Sequence, residues 1–361
     1  MKNKKTVNSN KVIFATAGLE ERCIPAISVA LELRRRSCNI VLSWIGSGRK
    51  READFCKKHR ISLFNFRKEK QYFKHSYLKF ATEFFHYSKL LSREKPGAVF
   101  AFGGFETAPI LAAARLKSVP YYLMENNSVA DPVNRIFASG ARRVFLGLPQ
   151  SKNLNGETEV TGIPVKPVSG DYEKSYYPQG FDKNKKTILI CCGEERVHDL
   201  NTSLIPIVKN WLKYGAQVVW QTGADDCNRI RDKFRLYPAA FVFSSLKDRY
   251  PYLAASRVVV SRSKADILAE ISYFGLPSIL TPLTKAQDNV QWVNAGIVRN
   301  QGWAFRYNHF KNSREIEEAA IRVLDDDQLF EKMSRKALDH APLNAVNRIT
   351  GVIAQELGIE A

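Results

Sequence analysis

Apolar residues in this chain fall in short unbroken runs, separated by longer segments with helical spacing. Val12–Ala17, Ile40–Ile45, Ala98–Phe102, Pro120–Met124 and Arg143–Leu148 each read as a buried strand. Between them, Ile24, Ile27, Ala30 and Leu33 share one helical face. Glu52–His59 predicts a short helix, Phe73–Leu91 a longer one and Pro109–Leu116 another. The second half repeats the alternation. Strands are predicted at Thr187–Cys192, Val218–Thr222, Ala240–Phe243, Val258–Ser261, Ser278–Pro282 and Trp303–Phe305. Helices are predicted at Leu204–Tyr214, Ala265–Phe274, Ser313–Leu324, Gln328–Ala337 and Asn344–Leu357. Such alternation predicts parallel βαβ units with right-handed crossovers.

Residues 166–186 interrupt the pattern. They are polar, contain Pro167, Gly170, Pro178 and Gly180, and keep no period. This stretch reads as a linker between a domain over residues 1–165 and one over 187–340, with a last helix in 341–361. A length of 361 residues suits two domains. In parallel sheets of this kind, ligands bind beyond the carboxyl ends of the strands, so chemistry is expected in the strand-to-helix loops.

Charge adds a direction. Fifty-five Lys and Arg against 36 Asp and Glu give a formal charge of +19. That surplus favours phosphorylated substrates, anionic lipid or nucleic acid. No zinc-finger spacing and no RNP-type aromatic run is present, so nucleic acid is not an expected partner. The six cysteines contain no C-x-x-C pair and read as reduced thiols of a cytosolic protein. The first residues, MKNKKTVNSNK, lack the apolar core of a signal peptide, and no run approaches the ~20 apolar residues of a membrane span. Membrane contact is therefore expected to be peripheral.

Several loops carry motifs in a fixed order. Phe102-Gly103-Gly104-Phe105 precedes Pro109. Met124-Glu125-Asn126-Asn127 is followed by Asn134, and Thr161-Gly162-Ile163-Pro164-Val165-Lys166 closes the first half. In the second half, Ser261-Arg262-Ser263-Lys264-Ala265 leads to Glu270 and then Gly275-Leu276-Pro277. Gln291 and Asn294-Ala295 come next. In this order and spacing the chain resembles the MurG family, with the match most specific in the second half. The resemblance implies an α/β chain with the GT-B fold, two Rossmann-like domains facing each other across a cleft. The first domain would take the acceptor, the second the nucleotide sugar, and the last helix would pack back on the first domain.

The implied reaction is inverting transfer of N-acetylglucosamine from UDP-N-acetylglucosamine to undecaprenyl-pyrophosphoryl-muramyl-pentapeptide. It would run on the cytoplasmic face of the cell membrane, with no cofactor and no metal. Gly193, Arg196, Phe243, Ser244, Arg262, Ser263, Lys264, Glu270 and Gln291 would form the donor site. Phe243 and Ser244 would lie beside the uracil. Gly18, Asn127, Asn134 and Lys166 would meet the acceptor. Glu270 lies seven residues after Ser263 on one helical face, where a carboxylate can accept hydrogen bonds from ribose hydroxyls. Its loss is expected to weaken nucleotide binding and leave the fold intact.

Two loops depart from the family. Its first glycine-rich loop corresponds here to Ala17-Gly18-Leu19-Glu20-Glu21-Arg22, and its second to Cys192-Gly193-Glu194-Glu195-Arg196. Both have lost glycine and gained acid. Glycines let backbone amides approach a phosphate; carboxylates repel it. Arg22 stands at the family's histidine position and is expected to clamp the acceptor diphosphate, since an arginine cannot act as a base at neutral pH. Glu125 then becomes the candidate base. Two readings stay open: an active transferase in which Arg22, Arg196 and Lys264 supply the positive charge, and a relic that binds without turnover.

Two further features are ambiguous. Phe73, Tyr77, Phe80, Phe84 and Leu91 recur at helical spacing, with Lys74, Lys79 and Lys89 between them. This is either an interfacial helix with Phe80 and Phe84 in the headgroups or a core helix with a basic solvated face. His198 lies just beyond the second altered loop and in isolation reads as a helix-start residue.

Overall fold

The computed structural model describes residues 10–16, 20–65, 77–150, 152, 154–165, 177–193, 197–246, 248–283, 289–308 and 311–358. Gly18, Lys166 and Arg196, with the side chains of Glu20 and Glu21, lie outside that set. So do Glu194, Glu195, the predicted start of the basic helix before Tyr77 and the first part of the predicted linker.

The chain forms two compact units. Unit 1 holds residues 1–167 and 342–361, and unit 2 holds residues 168–341. In unit 1 the elements run β1 (Lys11–Ala15), α1 (Glu20–Arg36), β2 (Val41–Gly46), α2 (Lys50–Lys58), β3 (Ser62–Asn65), α3 (Tyr77–Glu94) and β4 (Ala98–Ala101). They continue with α4 (Ala108–Leu116), β5 (Tyr121–Glu125), α5 (Pro132–Phe137), β6 (Arg143–Leu146) and β7 (Thr158–Val160). Unit 2 runs β8 (Thr187–Cys191), α6 (His198–Lys213), β9 (Gln217–Gln221), α7 (Ala224–Phe234), β10 (Ala240–Phe243), α8 (Tyr250–Ala254) and β11 (Val258–Ser261). Then follow α9 (Ala265–Tyr273), β12 (Ser278–Leu280), α10 (Val290–Asn300), β13 (Ala304–Arg306), α11 (Ser313–Asp325) and α12 (Asp327–Asp339). The chain then enters α13 (Ala345–Leu357), which belongs to unit 1.

Both sheets are parallel. The strand order is β3-β2-β1-β4-β5-β6-β7 in unit 1 and β10-β9-β8-β11-β12-β13 in unit 2. Each order reverses once, between β1 and β4 and between β8 and β11, which are the crevices where such sheets receive ligands. Residues 177–186, expected to be linker, pack on unit 2 instead. Phe181 lies 5.5 Å from Phe241, and the Tyr177 hydroxyl donates to the Pro251 carbonyl at 3.0 Å.

Strand register arranges the cores. In β1, Phe14 pairs with Trp44 on one side and Phe100 on the other, so the three aromatic rings share one face. Ile13, Ala15, Val99 and Ala101 point the other way, into a core shared with Leu90 and Leu91 of α3 and Ile110 and Leu111 of α4. In unit 2, Ile188, Ile190, Val218, Trp220, Val258 and Val260 meet Leu204, Trp211 and Ile316. Strands buried on both faces explain the unbroken apolar runs. Five of the six cysteines are buried; Cys38 is exposed, and none forms a disulfide. Among the described residues, no helix is long and apolar enough to cross a membrane.

The last helix closes unit 1. Ile349, Ile353 and Leu357 of α13 are buried. The Tyr122 hydroxyl donates to Glu356 at 2.9 Å, and Arg348 holds Glu159 at 2.7 Å.

Candidate functional site

In unit 2 the strand β11 ends at Ser261, and the chain turns through Arg262, Ser263 and Lys264 into α9. Arg262 and Ser263 are buried, while Lys264 is exposed at the N-cap with no side-chain capping bond. The N-terminus of α9 thus lies at the switch point without a side-chain cap from Lys264, a setting that favours an anion. Ser263 Oγ donates to the Gln291 carbonyl at 2.5 Å, and Asn294 Nδ2 donates to the Ser263 carbonyl at 3.1 Å. Gln291 Oε1 accepts from the Leu283 amide at 3.1 Å. Ser263 and Gln291, 28 positions apart, are thus brought together through α10.

Glu270 sits differently from the expectation. It is buried in the second turn of α9, and both of its oxygens are taken by the guanidinium of Arg249, from Nε and, at 3.0 Å, from Nη2. Asp266, one turn earlier, stands 3.9 Å from the same guanidinium, and its Oδ1 is buried without a hydrogen-bond partner. Burial pushes the Glu270 carboxyl up and Arg249 opposes that shift. The pair is close enough to the end of β8 to bear on Cys191, whose thiol burial pushes up to about 12. Phe243 is half-buried at the end of β10 with its ring 5.7 Å from Tyr252 of α8, and Ser244 is exposed beside it. Gly193 adopts φ +96° just after β8, a conformation that favours glycine.

In unit 1 the turn after β4 runs through Gly103 and Gly104, with φ of +70° and +92°. A side chain at Gly103 would press on Asn134 Nδ2, 3.1 Å from where its Cβ would lie. Asn134 is buried and donates to the Met124 carbonyl at 3.1 Å and to Glu125 Oε2 at 2.8 Å. Glu125 also accepts from the Asn127 amide at 2.9 Å and the Asp131 amide at 2.7 Å. Asp131 caps α5 through the Val133 amide and pairs with Arg22 Nη2 at 3.3 Å. The candidates Arg22, Glu125, Asn127 and Asn134 therefore form one network at the carboxyl ends of β1 and β5.

This network changes two expectations. Glu125 is buried and accepts three donors, which suits a loop-organising carboxylate better than a base meeting an acceptor hydroxyl. Burial pushes its carboxyl up, while Asn134 and the two amides oppose the shift. Arg22 is not a lone cation waiting for a phosphate, because Asp131 already holds part of its charge.

Sequence reasoning missed the partners. Besides Arg249 and Asp131, it missed Glu52, which is fully buried behind the ends of β1 and β2. It accepts from Thr16 Oγ1 at 2.6 Å and Ser47 Oγ at 2.9 Å. Burial alone would raise its carboxyl, yet these hydroxyls hold it below the usual carboxylate range. The signal for Glu52 lay in the hydroxyls that follow β1 and β2.

Two Rossmann-like units, each a parallel sheet whose strand order reverses once, are the architecture of the GT-B glycosyltransferases. Comparisons narrow the class. Residues 23–146 match the glycosyltransferase family 28 N-terminal domain and residues 187–348 its C-terminal domain. A relative from Nitrobacter hamburgensis is 30% identical over 274 residues, 73% of this chain and 74% of that protein. Another, from Chlorobaculum tepidum, is 26% identical and spans 91% of this chain and 94% of its own length. Both are named UDP-N-acetylglucosamine–N-acetylmuramyl-(pentapeptide) pyrophosphoryl-undecaprenol N-acetylglucosamine transferase. Among solved structures, Acinetobacter baumannii MurG superposes with a TM-score of 0.78 at 22% identity, over 96% of this chain and 99% of that one. The UDP-GlcNAc 2-epimerase of Neisseria meningitidis shares the fold at a TM-score of 0.70 and 17% identity, over 96% of this chain and 100% of that one. The chain belongs to the MurG family of family 28 glycosyltransferases.

Proposed function

We propose that this protein transfers N-acetylglucosamine from UDP-N-acetylglucosamine to the muramyl 4-hydroxyl of undecaprenyl-pyrophosphoryl-muramyl-peptide, with inversion, in peptidoglycan synthesis. The observation that carries this is the β11–α9 turn. There Arg262, Ser263 and Lys264 stand at the switch point of a family 28 C-terminal domain, at the N-terminus of α9 and with Lys264 exposed. Unit 2 takes the donor and unit 1 the acceptor. The leaving diphosphate is stabilised by the α9 N-terminus and Lys264, charge placed where charge develops. Phe243 and Ser244 serve the uracil and Gly193 the diphosphate. In unit 1, Arg22 and Asn127 lie at the acceptor edge, while Glu125 and Asn134 shape the loop that carries it.

The test is turnover with labelled UDP-N-acetylglucosamine and a soluble lipid-precursor analogue. Labelled disaccharide lipid is the expected product. Donor binding by calorimetry with no transfer would mark a protein that binds without reacting. Lys264→Ala is expected to weaken UDP by roughly tenfold, in line with about 1.5 kcal/mol for a charged hydrogen bond, and to leave uridine affinity unchanged. Equal losses for UDP and uridine would move Lys264 away from the diphosphate.

The acceptor lipid places the enzyme at the cytoplasmic face of the membrane, with α3 the docking element. Its outward residues are Tyr77, Leu78 and Phe85, which are 93%, 81% and 64% exposed. Of the two readings of this helix, Phe80 and Phe84 follow the core one, half-buried against the unit 1 core. Lys89 adds positive charge on the exposed side. Replacing Tyr77, Leu78 and Phe85 with Ser is expected to reduce sedimentation with anionic vesicles several-fold at unchanged circular dichroism. Undiminished sedimentation would remove α3 as the docking surface.

A further inference from the structure

With Glu125 enclosed and Arg22 unable to accept a proton, the proposed transfer still needs a base. We infer that His198 of α6, oriented by Asp226 of α7, is that base; the inference rests on the transferase reading above. Asp226 is almost fully buried in the first turn of α7, and its Oδ1 lies 2.9 Å from His198 Nδ1. Asn201 donates to its other oxygen at 2.8 Å, and Arg229 donates from Nε at 2.8 Å. Asn201 is itself fixed, by Trp220 Nε1 at 3.1 Å and by its own bond to the Thr222 carbonyl at 2.8 Å. Burial alone would raise the Asp226 carboxyl, yet these donors hold it below the usual range. An ionised carboxylate at Nδ1 keeps the proton on that nitrogen and turns the lone pair of Nε2 outward.

That outward side is open. The His198 side chain is 70% exposed, whereas the rest of the dyad is enclosed. A carboxylate with Asn201 and Arg229 already in place has no need of an imidazole for its own stability. Position supports the role as well. His198 opens α6 after the loop that follows β8, one of the two strands at the switch point, and Asp226 opens α7 after the adjacent β9. The acceptor hydroxyl must come to C1 of the donor sugar, and His198 belongs to the unit proposed to hold that sugar.

In the step, Nε2 takes the proton as the hydroxyl oxygen bonds to C1. The bond from C1 to the diphosphate oxygen breaks, and its electron pair leaves with UDP. The imidazolium is stabilised by Asp226 until it returns the proton to solvent.

His198→Gln tests this, because the Gln amide can still donate to Asp226 and keep α6 tied to α7. Turnover is expected to fall 10²- to 10⁴-fold, the range for a lost general base, with UDP affinity and melting temperature unchanged. His198→Ala is expected to regain at least tenfold in turnover with added imidazole, which a purely structural residue would not show. His198→Gln with turnover within threefold of wild type overturns the inference. So does a variant that loses UDP affinity while turnover is kept, which would make the imidazole a donor contact. A wild type that transfers nothing overturns the transferase reading and the base together, whereas an active wild type with an equally active variant overturns the base alone.

Discussion

Glu270→Ala will lower the melting temperature of unit 2 by roughly 10 °C. The loss follows from Arg249. Removing Glu270 leaves the guanidinium three-quarters buried with the more distant Asp266 beside it. Breaking one side of a buried ion pair costs about 3–5 kcal/mol, and each kcal/mol moves a unit of this size by about 2–4 °C. Lost UDP binding in this variant would therefore not by itself identify a ribose contact, contrary to the expectation that the fold is indifferent to Glu270. Arg249→Met with Glu270→Leu is the informative control. An apolar pair of similar volume should restore most of the melting temperature. If UDP binding stays weak in the restored variant, the carboxylate contributes to the nucleotide site. A Glu270→Ala melting point within 2 °C of wild type would show that Arg249 finds compensation elsewhere.

The second large effect belongs to unit 1. Glu125→Ala is expected to destabilise it by about 3–5 kcal/mol. Three donors, the amides of Asn127 and Asp131 and Asn134 Nδ2, lose their common acceptor. Each unsatisfied buried donor costs about 1–3 kcal/mol, less whatever the loop recovers by opening to water. Urea unfolding should show a lower midpoint for unit 1, and hydrogen exchange at the Asn127 and Asp131 amides should quicken. Activity will fall with the fold, so inactivity alone will say nothing about a base. An unchanged urea midpoint combined with lost turnover would return Glu125 to the chemistry.

What the sequence made legible follows from how each element is buried. Thr187–Cys191 and Val258–Ser261 lie inside a parallel sheet, covered on both faces, and their apolar runs mark them to within a residue. The edge strands Ser62–Asn65 and Thr158–Val160 are half-exposed and leave no such run. The helix α7 shows only Cys227, Ile230 and Phe234 to the core, amid charged residues, and α10 carries Asn294 and Gly296 in its interior. Both break the helical period that a reader looks for. The site shows the same division. Arg262–Lys264 and Glu270 are local to one turn and one helix, so spacing finds them. Arg249 reaches Glu270 across 21 positions, Asp226 reaches His198 across 28 and Asp131 reaches Arg22 across 109. Those bonds exist only once the strands have set the loops side by side, and no pattern along the chain announces them.

The return of the chain to unit 1 also governs the order in which the two halves mature. Domains fold as units while the chain emerges N-terminus first from the ribosome. Residues 168–341 are contiguous, so unit 2 has all its elements once Ala341 is free. The sheet of unit 1 emerges much earlier, but its α1 surface and the Tyr122 hydroxyl wait for α13. For as long as residues 168–341 are being made, the first half stands with an uncovered apolar seam. The half made first is therefore the half completed last.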